Sequence, residues 1–276
     1  MKDRLAAIAS RFELQGPIDE IKPLGEGFIN DTYIVRTEGD APDYILQRKN
    51  HVVFPDVPGM MDNIKAVTEH IKSKVEDPMR ETLTVIPAKD GKLYVEDEGN
   101  WWAVCLVIPG TMSYDRADLP ALAYQGGLGT GRFQSLLADF DKPLNETIKG
   151  FHNIRWRFQQ WDETIAADPV GRVAQLQEEI SWIESRRKEM LDFWSLVEDG
   201  TIPTRVTHND TKISNILFDD KGEVLCVIDL DTCMSSTSLN DFGDAIRSYT
   251  NTGAEDDRDL GRVSMSLEMF KAYTEG

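Results

Sequence analysis

Apolar positions follow two different spacings along the chain. In residues 1–108 they gather in short runs bounded by turn residues, which predicts strands. The runs are residues 29–35, 44–48, 82–87, 92–96 and 101–108, with helices predicted at 4–12 and 63–75. From residue 118 onward apolar residues recur at helical spacing, over 119–140, 173–196 and 260–273. The pattern predicts a sheet-rich first part and a mainly helical second part.

The predicted helix over residues 119–140 carries glycine at positions 126, 127, 129 and 131. A glycine inside a helix costs about 1 kcal/mol relative to alanine. Their number favours close packing against another element, or a break of the helix near residues 126–127.

Two short apolar runs in the second part, residues 216–218 and 224–228, are joined by a polar, glycine-containing turn at 219–222. This pattern is typical of a β-hairpin. Because a hairpin folds its two ends back on one another, we expect the polar residues that flank both runs to lie near one point.

Those flanking residues are Asp210 and Asn215 before the first run, and Asp229 and Asp231 after the second. Two carboxylates and an amide oxygen suit Mg²⁺, which shares its coordination with substrate phosphates. One of these carboxylates can instead accept the proton of an attacking hydroxyl. An aspartate, an asparagine five residues later and an aspartate one hairpin later form the kinase arrangement. A surface hairpin with acidic ends is the plainer alternative.

The first part contains Gly25 and Gly27 in a strand–turn–strand setting. A dinucleotide-binding turn or a P-loop would open a helix, and no Gly-Lys-Ser/Thr follows. The setting fits a loop whose backbone N–H groups approach phosphates closely. An ordinary hairpin turn is the alternative, and only the acidic residues downstream favour the phosphate loop.

Composition narrows the range of partners. The formal net charge of −18 over 276 residues argues against a nucleic-acid-binding surface. No apolar stretch approaches the length of a membrane span, and the N-terminus shows no long apolar leader. The three cysteines form no C-x-x-C pair, which favours a reducing, cytoplasmic location.

The segment VTHNDTKISNILFD…VIDLD resembles the aminoglycoside phosphotransferase/choline kinase superfamily. Within it, the Asn-Asp-Thr-Lys after His208 is most similar to the N-acetylhexosamine 1-kinases. The resemblance implies a two-lobe, protein-kinase-like α+β fold, with a nucleotide-binding lobe at 1–108 and a catalytic, acceptor-binding lobe at 109–276. It also implies ATP and Mg²⁺ as cofactors, a small-molecule sugar acceptor, and a monomer or weak dimer.

The resemblance assigns roles residue by residue. Asp210 and Lys212 become catalytic residues, while Asn215, Asp229 and Asp231 hold the metal. Arg48 stands where kinases carry a lysine, and Glu69 is its expected partner. The implied nucleotide contacts are Gly25, Gly27, Asn30, Thr32, Arg48, Glu69, Leu106 and Ile108, with the backbone of the last two meeting adenine.

Acceptor contacts are implied at Phe151, His152, Asp244 and Arg247. An ordinary loop between helices is the alternative for residues 139–152. Superfamily members carry further helices beyond the position of Gly276, so the chain is expected to be either naturally short or truncated. Two other functions stay open: a kinase for an aminoglycoside, choline or another sugar, and a nucleotide-binding pseudokinase, which the arginine at position 48 and the early C-terminus suggest.

Overall fold

A computed structural model describes residues 2–25, 29–254 and 257–276 of this chain. Gly27 lies outside the described residues. The expected fold class is confirmed: an antiparallel sheet occupies the N-terminal part and helices dominate the C-terminal part. No helix in the described ranges has both the length and the apolar character needed to cross a bilayer.

The first 106 residues contain two helices and six strands in the described portion of the chain. They are α1 (Lys2–Ala9), β1 (Ile18–Pro23), β2 (Asp31–Thr37), β3 (Tyr44–Lys49), α2 (Val57–Lys72), β4 (Val85–Ile86), β5 (Val95–Asp97) and β6 (Asn100–Leu106). The second part contains α3 (Pro120–Leu136), α4 (Ile154–Ala167), α5 (Gln177–Glu198), β7 (Arg205–Thr207), β8 (Ile216–Phe218), β9 (Val224–Val227), β10 (Met234–Ser236), α6 (Ser238–Tyr249) and α7 (Leu267–Glu275).

The six strands of the first part form one antiparallel sheet in the order β1-β2-β3-β6-β4, with β5 also paired to β6. Alternate residues of β3 point to opposite faces of this sheet. Tyr44 and Leu46 pack with α1 in one apolar cluster. On β6, Ala103 joins the other cluster, where the buried side of α2 meets residues of the second part. The sheet is therefore covered on both faces.

Helix α2 begins earlier than the predicted helix at 63–75. The side chain of Asp56 accepts a hydrogen bond from the Gly59 N–H, and a proline follows at the first turn, which are two strong helix-starting signals. The last predicted helix, at 260–273, is shorter in the structure than expected. Residues 260–262 form a short 3₁₀ turn, and α7 starts only at Leu267, capped by the Ser266 side chain.

The predicted hairpin is confirmed as β8 and β9, which pair with Ile216 opposite Val227. Its apolar side packs with residues of α3, α6 and α7 in a third cluster. Strands β7 and β10 pair next to it. The chain segments that precede and follow the hairpin are thereby held against the helices.

The glycines of α3 are explained by close packing, since the helix runs without a break from Pro120 to Leu136. A Cβ atom at Gly127 would overlap the main-chain oxygen of Tyr273 in α7. At Gly126 it would overlap the ring of Tyr249. Gly131, on the same helix, has no atom within 4 Å of the place where a Cβ would stand.

We expect Gly127→Ala to lower the free energy of unfolding by about 2 kcal/mol, because backbone atoms of α7 must move to admit the methyl group. The matched variant Gly131→Ala should raise it by up to about 1 kcal/mol through helix propensity alone. Urea unfolding of both variants measures the difference. Equal effects of the two substitutions would contradict the packing explanation.

Candidate active site

A cavity of about 780 Å³ lies between the first-part sheet and the β8–β9 hairpin. Asp210, Lys212, Asn215, Asp229 and Asp231 all line it. The structure thus brings together the residues that the hairpin pattern predicted to meet. The hairpin achieves this because Asp210 and Asn215 precede β8, while Asp229 lies two residues after the end of β9.

Asp210 is held in place by its own loop. The side-chain nitrogen of Asn215 donates to the main-chain oxygen of Asp210 at 2.8 Å and to its carboxylate at 3.1 Å. The Lys212 ammonium lies 3.1 Å from the same carboxylate oxygen, Oδ2. This geometry fixes the direction of the carboxylate and keeps a positive charge beside it.

His208 connects the two ends of the hairpin. Its Nε2 lies 2.9 Å from the main-chain oxygen of Ile228. A carbonyl oxygen only accepts, so Nε2 carries the proton and Nδ1 accepts from the Asp210 N–H at 3.2 Å. The imidazole therefore braces the loop through these two hydrogen bonds.

Helix α6 supplies two further aspartates to the loop. Asp241 is completely buried and accepts the main-chain N–H groups of His208 at 3.0 Å and Asn209 at 2.8 Å. Asp244 accepts the N–H of Thr211 at 2.8 Å and pairs with Arg247 at 2.9 Å. Asp244, expected as an acceptor contact, is thus bound to the loop of residues 208–212 in this structure.

Asp229 adopts a left-handed backbone conformation, with φ of 57°, at the end of β9. Burial, and after it the neighbouring Asp231 carboxylate, raise the pKa of Asp229 to about 6. A bound cation would favour the charged form and offset that burial. The donors Asp210, Asn215 and Asp229 on one cavity fit Mg²⁺ by their chemistry.

In the part of the chain that the structure describes, no three His, Cys, Asp or Glu side chains form a metal cage of their own. An ion here would share its coordination with an amide oxygen, water and phosphate oxygens, which is usual for Mg²⁺. Asp231 is engaged elsewhere, because its carboxylate accepts from Lys49 and Asn30.

The expected roles of Arg48 and Glu69 require correction. Arg48 lies on the sheet face opposite the cavity, where it donates to Asp31 at 2.6 Å and to Asn100 at 3.1 Å. Glu69 is exposed and lies 3.7 Å from Lys65, one turn away on the same helix. The two residues do not meet each other, and neither lines the large cavity.

The neighbouring lysine occupies the position expected for Arg48. Lys49 is only 4% exposed, and its Nζ lies 2.7 and 2.9 Å from the two carboxylate oxygens of Asp231 and 2.8 Å from the side-chain oxygen of Gln47. Burial acts to lower the pKa of Lys49, but the charges of Asp231 and Asp229 and the hydrogen bond to Asp231 together outweigh it, so the pKa is raised. Lys49 is a positive charge inside the active-site region that the sequence interpretation missed.

A second, more apolar space of about 350 Å³ adjoins this region. Leu106 and Ile108, expected to meet adenine, both line it, with Cys105 next to them. The Leu106 N–H already donates to Thr84, and the Ile108 carbonyl accepts from the Thr111 hydroxyl. The Leu106 N–H is therefore engaged within the protein.

Three residues of the expected phosphate loop line the large cavity: Gly25, Asn30 and Thr32. Gly25 has φ of +68°, a conformation that favours glycine. The Asn30 side chain donates to Asp231 at 2.8 Å and accepts from the Asn50 N–H at 3.0 Å. Thr32 accepts from the Gln47 amide at 3.2 Å.

Phe151 and His152 lie apart from the other expected acceptor contacts. They line a separate cavity of about 180 Å³ together with Trp194, Asn209 and Met234. Arg247 instead lines the large cavity that contains Asp210. Burial lowers the pKa of His152. Of the four residues expected around one acceptor, Phe151 and His152 therefore line one cavity and Arg247 another, while Asp244 lines neither.

Comparison with known proteins places this geometry in a family. Residues 20–264 match the model of the Phosphotransferase enzyme family. A spectinomycin phosphotransferase, solved with ADP and spectinomycin, superposes with a TM-score of 0.56 at 12% identity, covering 100% of this chain and 79% of that one. The choline kinase LicA from Streptococcus pneumoniae gives 0.53 at 16% identity, with 93% and 80% covered.

A Plasmodium vivax ethanolamine kinase superposes with a TM-score of 0.56 at 15% identity, covering 92% of this chain and 66% of that chain. These likenesses establish a shared fold. The expected relationship to the aminoglycoside phosphotransferase/choline kinase superfamily is supported by the family match over residues 20–264. Since the family match spans most of the sequence, this protein belongs to the phosphotransferase enzyme family.

Proposed function

We propose that the protein transfers the γ-phosphoryl group of ATP to the anomeric hydroxyl of an N-acetylhexosamine. The observation that carries the proposal is the Asp210 carboxylate, held by Asn215 and Lys212 on the wall of the large cavity. Asp229 lines the same cavity, and the space beside Leu106 is lined mainly by apolar side chains, which suit adenine.

Each residue has a distinct task in this reaction. Asp210 orients the acceptor hydroxyl and accepts its proton, while Lys212 neutralises charge on the transferring group. Asn215 and Asp229 would hold Mg²⁺, which supplies charge neutralisation at the phosphates when bound. Positioning and electrostatic stabilisation of this kind provide most of the catalysis in phosphoryl transfer.

Lys49 replaces Arg48 in the proposed nucleotide site. A lysine ammonium is the usual phosphate-binding group on the third strand of kinases. Its presence in the apolar space beside Leu106 removes one of the two reasons for proposing a pseudokinase. The proposed nucleotide lobe is residues 1–108, and the proposed acceptor lobe is 109–276.

The proposed sugar acceptor is supported by the hydrogen-bond donors on the cavity wall and by the Asn-Asp-Thr-Lys resemblance. Arg116, Lys212 and Arg247 line the cavity, and so do four aspartates: Asp115, Asp210, Asp229 and Asp231. The three cations are paired with Asp118, Asp210 and Asp244, so the charges lining the cavity are mixed. A sugar hydroxyl or acetamido oxygen can accept hydrogen bonds from the cationic side chains.

The test is ADP release from Mg-ATP in the presence of N-acetylglucosamine, N-acetylgalactosamine, choline or kanamycin, each assayed separately. We expect release only with an N-acetylhexosamine, and the product should be stable to alkali but labile to mild acid, as an anomeric phosphate is. Release with choline or kanamycin alone would keep the phosphotransferase and discard the sugar. ATP binding without release from any acceptor would instead support the pseudokinase.

A further inference from the structure

Protein kinases pair the phosphate-binding lysine of the third strand with a glutamate of the following helix. Helix α2 cannot supply that partner here. Its acidic residues, Asp62 and Glu69, are both exposed. The side of α2 that faces the sheet is apolar and includes Met61, Ile64 and Val67. The lysine must find its counter-charge in another part of the fold.

That counter-charge comes from the chain beyond the hairpin. Asp231 and Lys49 are each about 95% buried and lie 182 positions apart in sequence. The Asp231 carboxylate receives two hydrogen bonds from the ammonium and a third, at 2.8 Å, from Asn30. Lys49 is the last residue of β3, and Asn30 lies at the end of the proposed phosphate loop.

We propose that Asp231 is the positioning partner of Lys49, in place of a helix glutamate. The three residues form a latch, the Lys49–Asp231–Asn30 latch, which joins the sheet and its phosphate loop to the end of the catalytic hairpin. The lysine then depends on the segment that carries Asp229 and does not depend on the position of α2. The inference rests on the proposed nucleotide site, but its structural half can be tested without any ligand.

Proton counting shows how the latch accommodates a nucleotide. The Lys49 ammonium has three protons, which the two Asp231 carboxylate oxygens and the Gln47 side-chain oxygen accept. A phosphate oxygen must take over one of these contacts. Because Asp231 offers two oxygens, it can release one and keep the ammonium with the other. Asp231 thus orients the Lys49 ammonium and need not bind the metal itself.

The first experiment is a double-mutant cycle in the absence of nucleotide. Asp231→Asn and Lys49→Met each leave one buried charge without its partner, and each should lower Tm by about 10 °C. The decrease in Tm of the double variant should be clearly smaller than the sum of the decreases of the two single variants. The matched pair Arg48→Met and Asp31→Asn is an exposed ion pair whose arginine lies next to Lys49 on β3, and each substitution should shift Tm by about 2 °C or less. Additive losses at Lys49 and Asp231 would overturn the latch.

The second experiment separates positioning from metal binding. ATP binding is measured by calorimetry with EDTA and with Mg²⁺. If Asp231 positions Lys49, Asp231→Asn weakens metal-free ATP binding about 10-fold, and the effect disappears in the Lys49→Met background. If Asp231→Asn weakened ATP binding only in the presence of Mg²⁺, Asp231 would be a metal ligand and the proposal would be overturned. Failure of the wild type to bind ATP would overturn the proposed function, while the Tm cycle would still decide whether the latch exists.

Discussion

Asp210→Asn is expected to reduce turnover by about 100- to 10,000-fold, the range that a general base contributes. The amide is almost isosteric but cannot accept the hydroxyl proton. The loop should stay in place, because Asn215 also bonds to the main-chain oxygen of residue 210. ATP binding should therefore change little, and a loss of kcat with a nearly constant Kd for ATP is the expected signature.

The control for this prediction comes from the same hairpin. Asp220→Asn removes the same charge from an exposed turn position and should leave kcat unchanged. Turnover is followed by coupled ADP release, and ATP binding by calorimetry. Full activity of Asp210→Asn would remove Asp210 from the role of proton acceptor. Equal losses in both variants would indicate a general effect of the acidic surface.

The centre of the site could be predicted because its residues are close in sequence. Asp210, Asn215 and Asp229 flank one hairpin, and the geometry of a hairpin alone brings its ends together. The alternation of apolar residues also predicted most strands of the sheet and the long helices. Local patterns suffice where short-range contacts determine the position of a side chain.

The lysine was missed for a reason specific to strands. Neighbouring residues in a strand point to opposite faces, so an error of one position transfers a side chain to the other side of the sheet. Arg48 shares the face of Tyr44 and Leu46, whereas Lys49 shares that of Gln47. Aligning the segment by resemblance did not use this alternation, although the apolar pattern of β3 contained it.

Long-range partners could not be derived from the sequence. The contact between Lys49 and Asp231 depends on how the sheet is placed over the hairpin. The separation of Phe151 and His152 from Arg247 likewise depends on the packing of the segment after α3. Exposed helix positions such as Glu69 look the same in sequence whether or not they reach a partner.

Asp241→Asn is expected to lower the free energy of unfolding by about 3 kcal/mol and to reduce kcat about 100-fold. Both carboxylate oxygens accept main-chain N–H groups of the catalytic loop, at His208 and Asn209. The amide replaces one acceptor with a donor that faces another donor, in a fully buried position. The loop should shift, and a displacement of about 1 Å at the proton acceptor can cost about 100-fold in rate.

Gln134→Met provides the matched control, since Gln134 donates to the same Asp241 carboxylate at 3.2 Å without touching the loop backbone. It should cost no more than about 1 kcal/mol and leave kcat within a few-fold of the wild type. Urea unfolding and ADP release well below Tm measure the two quantities separately. If Asp241→Asn lost stability but kept full kcat, the carboxylate would support the fold without positioning Asp210. The two main-chain hydrogen bonds favour the opposite outcome, because they lie one and two residues before the catalytic aspartate.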